Sequence, residues 1–280
     1  MTYKTILLHL HDPARAKRLL DVALPLARKM DAHLIGLNVM PPYVVLPGGE
    51  VGVSTVTVDA HREAYAKDIK TLKALFTEAT RLNAAKAEWR EVDSNFGSAA
   101  GAIIEHGRMA DLVIASQKDK LWTLTDFLEE PERLAIELGR PVLLVPNSGK
   151  PVAPSKRVTI AWNGKREAVR AVFDALPLLI GTDEVNILWI HPERDQPHAG
   201  DLPGAELSAT LARHGIKCVA SQSSATDGNV GFELLRQAEA FGSDLVVMGA
   251  YGHSRMREFV LGGASREMLA QMNRLVLMSH

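Results

Sequence analysis

The sequence predicts an α/β protein built from two tandem doubly wound domains. Each is a five-stranded parallel sheet of order 3-2-1-4-5 with helices on both faces. Three observations predict it. Near-continuous apolar strand segments alternate with amphipathic helical segments, the pattern of a parallel sheet covered on both faces. The chain also repeats itself: Asp111-Leu-Val-Ile matches Asp244-Leu-Val-Val, and Val142-Leu-Leu-Val matches Leu275-Val-Leu-Met, both at an offset of 133 residues. Length agrees, because 280 residues make about two domains of roughly 150.

In the first half, residues 3–10 form an apolar strand segment, and Asp12-Pro13 starts a helix with Leu19, Leu20, Ala23, Ala27 and Met30 on one face. Asp at the N-cap and Pro at the first helical position suit a helix start, since Pro lacks an N–H that has no partner there. A strand over 32–40 stops at Pro41-Pro42, and a helix is expected over about 59–83. Strand 86–93, helix 96–109, strand 111–116, helix 130–138 and strand 141–146 follow. The second half runs strand 156–163, helix 165–179, strand 184–191, helix 202–214 and strand 216–222. It closes with helix 228–241, strand 244–249, helix 263–272 and strand 274–279. The first strands align at 152 rather than 133, because the first half has a longer second-strand loop and second helix. Two copies of one βα unit explain this economically. The expected domains are 1–148 and 155–280, joined by the Gly/Pro/Ser segment 147–156.

Composition excludes several classes. The chain is 46% hydrophobic and 23% charged, enough apolar material for two cores, which rules out disorder. Lys plus Arg total 32 against 33 Asp plus Glu, a net charge of −1 that gives no basic excess for nucleic acid. No apolar run reaches the roughly 18 residues of a membrane helix. The N-terminus reads as a strand rather than a signal peptide, and one cysteine, Cys218, fits a reducing cytosol. A cytoplasmic protein is expected.

Doubly wound folds bind ligands where the winding reverses, beyond the carboxyl ends of strands 1 and 4. After the fourth strand of the second half stands Met248-Gly249-Ala-Tyr-Gly252-His253-Ser-Arg255, and Gly262-Gly263-Ala264-Ser265 opens the last helix. Glycines let backbone N–H groups approach an anion closely, and a helix N-terminus adds partial positive charge. Ser265 offers a hydroxyl for capping or for phosphate, while His253, Arg255 and Arg257 add charge. The spacing is neither GxxxxGK[ST] nor GxGxxG. Two such glycines read as turns; four at a switch point with basic residues between them favour an anion site.

The G-x2-G-x9-G pattern at Gly249, Gly252 and Gly262 resembles the nucleotide-binding signature of the universal stress protein family. The resemblance spans the whole chain as two tandem domains. It implies the doubly wound fold and bound ATP, with Mg2+ as a companion ion. Adenine would lie near the ends of strands 1 and 2, and the phosphates on the glycine loop. By position, Asn163 stands where the family has an Asp, and Met248 would pack near adenine or ribose. Gly249, Gly252, Gly262 and Gly263 would line the phosphates, with Ala264 and Ser265 following. Two departures stand out: Asn163 carries no charge, and Gly263 replaces the Ser or Thr after the third glycine. Single-domain members dimerise through their last strands, so 142–146 and 275–279 are expected to pair within this chain, and homodimerisation stays open.

The halves are not equivalent. At the offset of 133, Ser116 and Asp119 replace Gly249 and Gly252, and Glu129 and Glu130 replace Gly262 and Gly263. Carboxylates there repel a triphosphate, so only the second half is expected to bind nucleotide.

His9 and His11 share one strand face beside Asp12, but no third ligand can be named, so no metal site is expected. Trp89, Trp162 and Trp189 read as core or crevice wall, and Cys218 as an inert thiol. No Ser-His-Asp elbow, paired-carboxylate motif or HExxH marks a catalytic residue. Three classes fit: a nucleotide-binding stress or signalling protein, a slow ATPase, and a small-molecule carrier or interaction protein without nucleotide.

Overall fold

The computed structural model describes residues 2–40, 55–94, 98–118, 131–192, 204–225, 229–250 and 263–280. The first half contains β1 (Thr5–His9), α1 (Pro13–Met30), β2 (His33–Met40), α2 (Thr55–Leu82), β3 (Ala87–Asp93), α3 (Ala99–Gly107), β4 (Leu112–Ser116), α4 (Glu132–Glu137) and β5 (Val142–Val145). The second contains β6 (Arg157–Trp162), α5 (Arg166–Leu179), β7 (Glu184–Pro192), α6 (Ala205–Arg213), β8 (Cys218–Ala225), α7 (Val230–Phe241), β9 (Leu245–Gly249), α8 (Gly263–Gln271) and β10 (Leu275–Ser279).

Local chemistry sets these elements as the sequence predicts. Asp12 caps α1 by accepting from Ala14 N at 2.8 Å, with Pro13 behind it. The matched aspartates do one job twice. Asp111 Oδ2 accepts from Lys4 N (2.7 Å) and Thr5 N (3.0 Å), tying the start of β4 to that of β1. Asp244 Oδ2 repeats this with Lys156 N (2.7 Å) and Arg157 N (3.1 Å). Pro25 and Pro177 sit inside α1 and α5 at the repeat offset of 152, a further mark of the duplication.

All ten strands join one sheet in the order β3-β2-β1-β4-β5-β10-β9-β6-β7-β8. Each half therefore has the expected 3-2-1-4-5 order, and the whole sequence of strands reads alike from either end. Within each half every pairing is parallel. Among the described residues the halves meet in the one antiparallel pairing, Leu144, Leu143 and Val142 of β5 opposite Val276, Leu277 and Met278 of β10. The two expected terminal strands do pair. Helices α1, α2, α5 and α6 bury one apolar cluster against one face, and α3, α4, α7 and α8 bury a second on the other. Long-range polar bonds add to the junction: Lys29 Nζ donates to Ile180 O (3.1 Å), and Gln117 Nε2 to Leu269 O (2.9 Å).

Of the strands, β8 departs furthest from its expected limits. β8 runs from Cys218 to Ala225 rather than 216–222. Ser223 and Ser224 lower intrinsic strand preference, but β7 extends through Pro192 and offers pairing partners as far as Ala225. Tertiary pairing overrides local propensity there.

Candidate functional site

The candidate site lies at the carboxyl ends of β6, β7 and β9. Asn163 follows β6, is exposed, and its Oδ1 accepts from Lys165 N at 3.0 Å. That closes an Asx turn leading into α5, whose N-cap Lys165 supplies no side-chain cap of its own. The Asn163 carbonyl oxygen thus has a local task, while its amide stays on an exposed residue. Gly164 provides the left-handed turn, with φ of 68°.

Gly249 ends β9, and the first turn of α5 lies against it. A Cβ there would stand 2.5 Å from the Glu167 carbonyl carbon and 2.7 Å from Ala168 N. Glycine is therefore required by packing, and the requirement brings the N-terminal turn of α5, whose first amides have no partner within the helix, to the strand end. Met248 is 5% exposed and belongs to the apolar cluster beneath α7 and α8, alongside Met268, Met272 and Met278.

α8 starts at Gly263, which is exposed with open space where a Cβ would be. Ser265 is buried inside the first turn of α8, so it does not occupy the N-cap position considered from sequence. The start of α8 is held by α7. A Cβ on Gly231 would lie 2.8 Å from Ala264 O, and Asn229, which caps α7 through Phe232 N, also donates to Glu267 Oε1. Gly252, His253, Arg255 and Gly262 lie outside the described residues.

Trp162 and Trp189 stand directly opposite each other on β6 and β7, both half-buried. Their adjacency was not legible, because it depends on strand register. Asn163 beyond them is exposed, and Ala161, Ile190 and Gly249 are half-buried. Among the described residues, Asn163 makes the strand ends of the second half the more exposed, although Ala250 is buried.

Those of the first half are closed. Leu10, His11, Asn38, Val39, Ser116 and Gln117 are all buried. Asn38 Nδ2 donates to Leu10 O (2.7 Å), and Tyr65 of the long helix α2 donates to Val39 O (3.0 Å). His9 and His11 stack, ring centroids 5.1 Å apart. Gln117, in the position of Ala250, accepts from Asn147 N (2.9 Å) as well as donating to α8. Nothing in the first half's sequence period announces this closure, because its partners are remote along the chain.

Beside the candidate site, Glu233 of α7 gathers Ser223, Arg236 and Gln237. Arg236 donates twice at 2.7 Å and Gln237 at 2.8 Å. These donors, Arg236 foremost, hold the Glu233 carboxyl down at about 2. Burial pushes the Cys218 thiol up, consistent with an inert cysteine. Among the described residues no three His, Cys, Asp or Glu side chains group to hold a metal.

No family model matches this sequence, and neither does any curated protein. Solved structures do. A universal stress protein from Archaeoglobus fulgidus DSM 4304 superposes with a TM-score of 0.73 at 16% identity, over 98% of this chain and 95% of that one. The chain has the tandem universal stress protein fold. A second structure with this fold, a putative universal stress protein from Pseudomonas aeruginosa UCBPP-PA14, gives a TM-score of 0.56 at 14% identity, over 99% and 93%. A functionally unknown protein from Pseudomonas aeruginosa PAO1 gives 0.54 at 14% identity, over 99% and 92%. The universal stress protein fold thus extends across both halves. Among the described residues, no helix is long and apolar enough to cross a membrane.

Proposed function

We propose that this chain is a tandem universal stress protein that binds an adenine nucleotide, ATP with Mg2+, at one site in its second half. We read residues 1–148 and 155–280 as its two domains, and the output as a cytoplasmic stress or signalling response rather than turnover. The observation that carries the reading is the contrast between the strand ends: more exposed and flanked by Gly249, Gly263 and the α5 N-terminus in the second half, buried in the first. Glycines at both borders of the loop suit close approach of phosphate, and helix N-termini favour its charge. Trp162 and Trp189 give the adjoining wall an apolar, aromatic surface for a base. Gly252, Gly262, His253 and Arg255 complete the phosphate side by sequence position.

Isothermal calorimetry with ATP and Mg2+ on the full chain tests it. One site per chain is expected. No heat of binding, or two equal sites, overturns it.

A further inference from the structure

The ten-stranded sheet has two outer edges, and they are built differently. β3 closes one end with Ala87-Glu-Trp-Arg-Glu-Val-Asp93, four charged residues in seven. Arg90 pairs with Glu88, and Lys73 reaches Glu91 at 3.1 Å. The antiparallel register that would pair all seven residues of two β3 strands sets Arg90 opposite its own copy. Charged edges of this kind resist strand addition.

β8 closes the other end with Cys218-Val-Ala-Ser-Gln-Ser-Ser-Ala225, eight residues without a charge or a proline. Val219, Gln222 and Ser224 are exposed, Val219 at 39%. Val185 N donates to Lys217 O, and Val185 stands opposite Cys218, so Lys217 and Val219 use their peptide groups toward β7. Strand alternation then turns the peptide groups of Cys218, Ala220, Gln222 and Ser224 outward. Among the described residues no strand pairs with that edge.

We propose that the outer edge of β8 docks a second copy of this chain, the two β8 strands pairing antiparallel across a two-fold axis. The register centred on Gln222 sets Gln222 opposite Gln222 and Ala220 opposite Ser224 as reciprocally hydrogen-bonded pairs. Ser221 then faces Ser223, and Val219 faces Ala225. No like charges meet anywhere along the contact, and every side chain involved is small or uncharged. The chain already joins its halves by an antiparallel contact between equivalent strands, β5 and β10, so β8 pairing continues the same sheet into the partner. A second copy, rather than a foreign peptide, also explains why one edge is guarded and one is not. An isologous contact consumes both unguarded edges and closes at a dimer, while charged β3 edges prevent growth beyond it.

Sedimentation velocity of the full chain over a concentration series tests this, with amide exchange as a second readout. The wild-type chain is expected to dimerise, with the outward amides of Ala220, Gln222 and Ser224 gaining protection as concentration rises. Gln222→Lys places like charges on the axis, and Ser224→Pro removes an outward donor without touching the β7 ladder. Each is expected to raise the dimer dissociation constant at least tenfold while melting as wild type does. A chain that stays monomeric at all concentrations overturns the proposal. So does a dimer that survives both variants, in particular one abolished by Phe173→Glu on the exposed apolar side of α5. ATP is absent throughout, so the outcome is independent of the nucleotide reading.

Discussion

The two switch points of this molecule share a fold and differ in what fills them. In the first half, Leu10, His11 and Asn38 lie beneath the surface, and Tyr65 and Gln117 fasten the strand ends to α2 and to the opposite half. In the second, among the described residues, Asn163 is exposed and Trp162 and Gly249 are half-buried. Equivalent scaffold positions therefore carry packing on one side and an accessible surface on the other. The scaffold's shape comes from the strands and the paired aspartates Asp111 and Asp244. In the proposed reading, ligand capacity rests with a few residues just past the strands.

Ligand binding should separate the halves most. Gly252→Glu or Gly262→Glu puts a carboxylate where backbone meets phosphate in the proposed site. A loss of about a thousandfold in ATP affinity, about 4 kcal/mol, is expected. Measured as the ATP-dependent rise in melting temperature, it should vanish in either variant. An unchanged shift in both would move the site off this loop.

Packing gives the next contrast. Gly249→Val drives side-chain atoms into the backbone of Glu167 and Ala168, and about 3 kcal/mol of stability should be lost. Ser116→Gly at the matching position should cost under about 1 kcal/mol, mostly backbone entropy. Urea unfolding of both variants checks the difference, and equal losses would contradict the asymmetric packing.

Acid should then weaken the Glu233 network of the second half. The Glu233 carboxyl sits at about 2 in the fold against an ordinary 4.5. A depressed carboxyl supplies stability that is complete above about pH 4.5 and drains away as pH falls toward 2. At most about 3 kcal/mol is involved, less after screening, since the Arg236 side chain is 58% exposed. Glu233→Gln should flatten the pH 2–4.5 limb of the stability curve. If the limb keeps its slope, the network around Glu233 does not supply it.

Smaller effects belong to single hydrogen bonds. Gln117→Leu strands Asn147 N and Leu269 O and should cost about 2 kcal/mol. Asn163→Ala removes only the turn that starts α5, about 1 kcal/mol. A reversed ranking in thermal unfolding would show that the junction between halves is weaker than its bonds suggest.

Much of this was legible before any coordinates. The strand segments, the Asp12-Pro13 start and the match of Asp111 with Asp244 are local patterns, and they give element order, repeat and topology. The β5–β10 pairing was expected from the family resemblance, whose single-domain members dimerise through their last strands, and both strands are short and apolar. What escaped depends on register and remote contact. Trp162 meets Trp189 only once β6 and β7 are aligned, and the first half closes through Tyr65 and Gln117, far along the chain from what they hold. The family resemblance casts Asn163 as a group for ligand, yet its oxygen serves a turn. Gly249 reads as room for phosphate, and the α5 backbone uses that room as well. Local signals report which residue type stands where, while the competing demands on that residue appear only in three dimensions.

The segment between the halves has a further consequence. Arg18 of α1 grips it through Pro146 O and Gly149 O at 2.6 Å each, and a Cβ at Gly149 would stand 2.3 Å from Asn273 O, so it runs close against the second half. Tethering replaces a concentration-dependent encounter between separate chains with an effective concentration in the millimolar range. Inheritance changes with it. In a symmetric homodimer every substitution strikes both copies of a pocket at once. Here the two switch points are encoded separately, so a substitution changes one and leaves the other untouched, while the covalent tie keeps β5 beside β10.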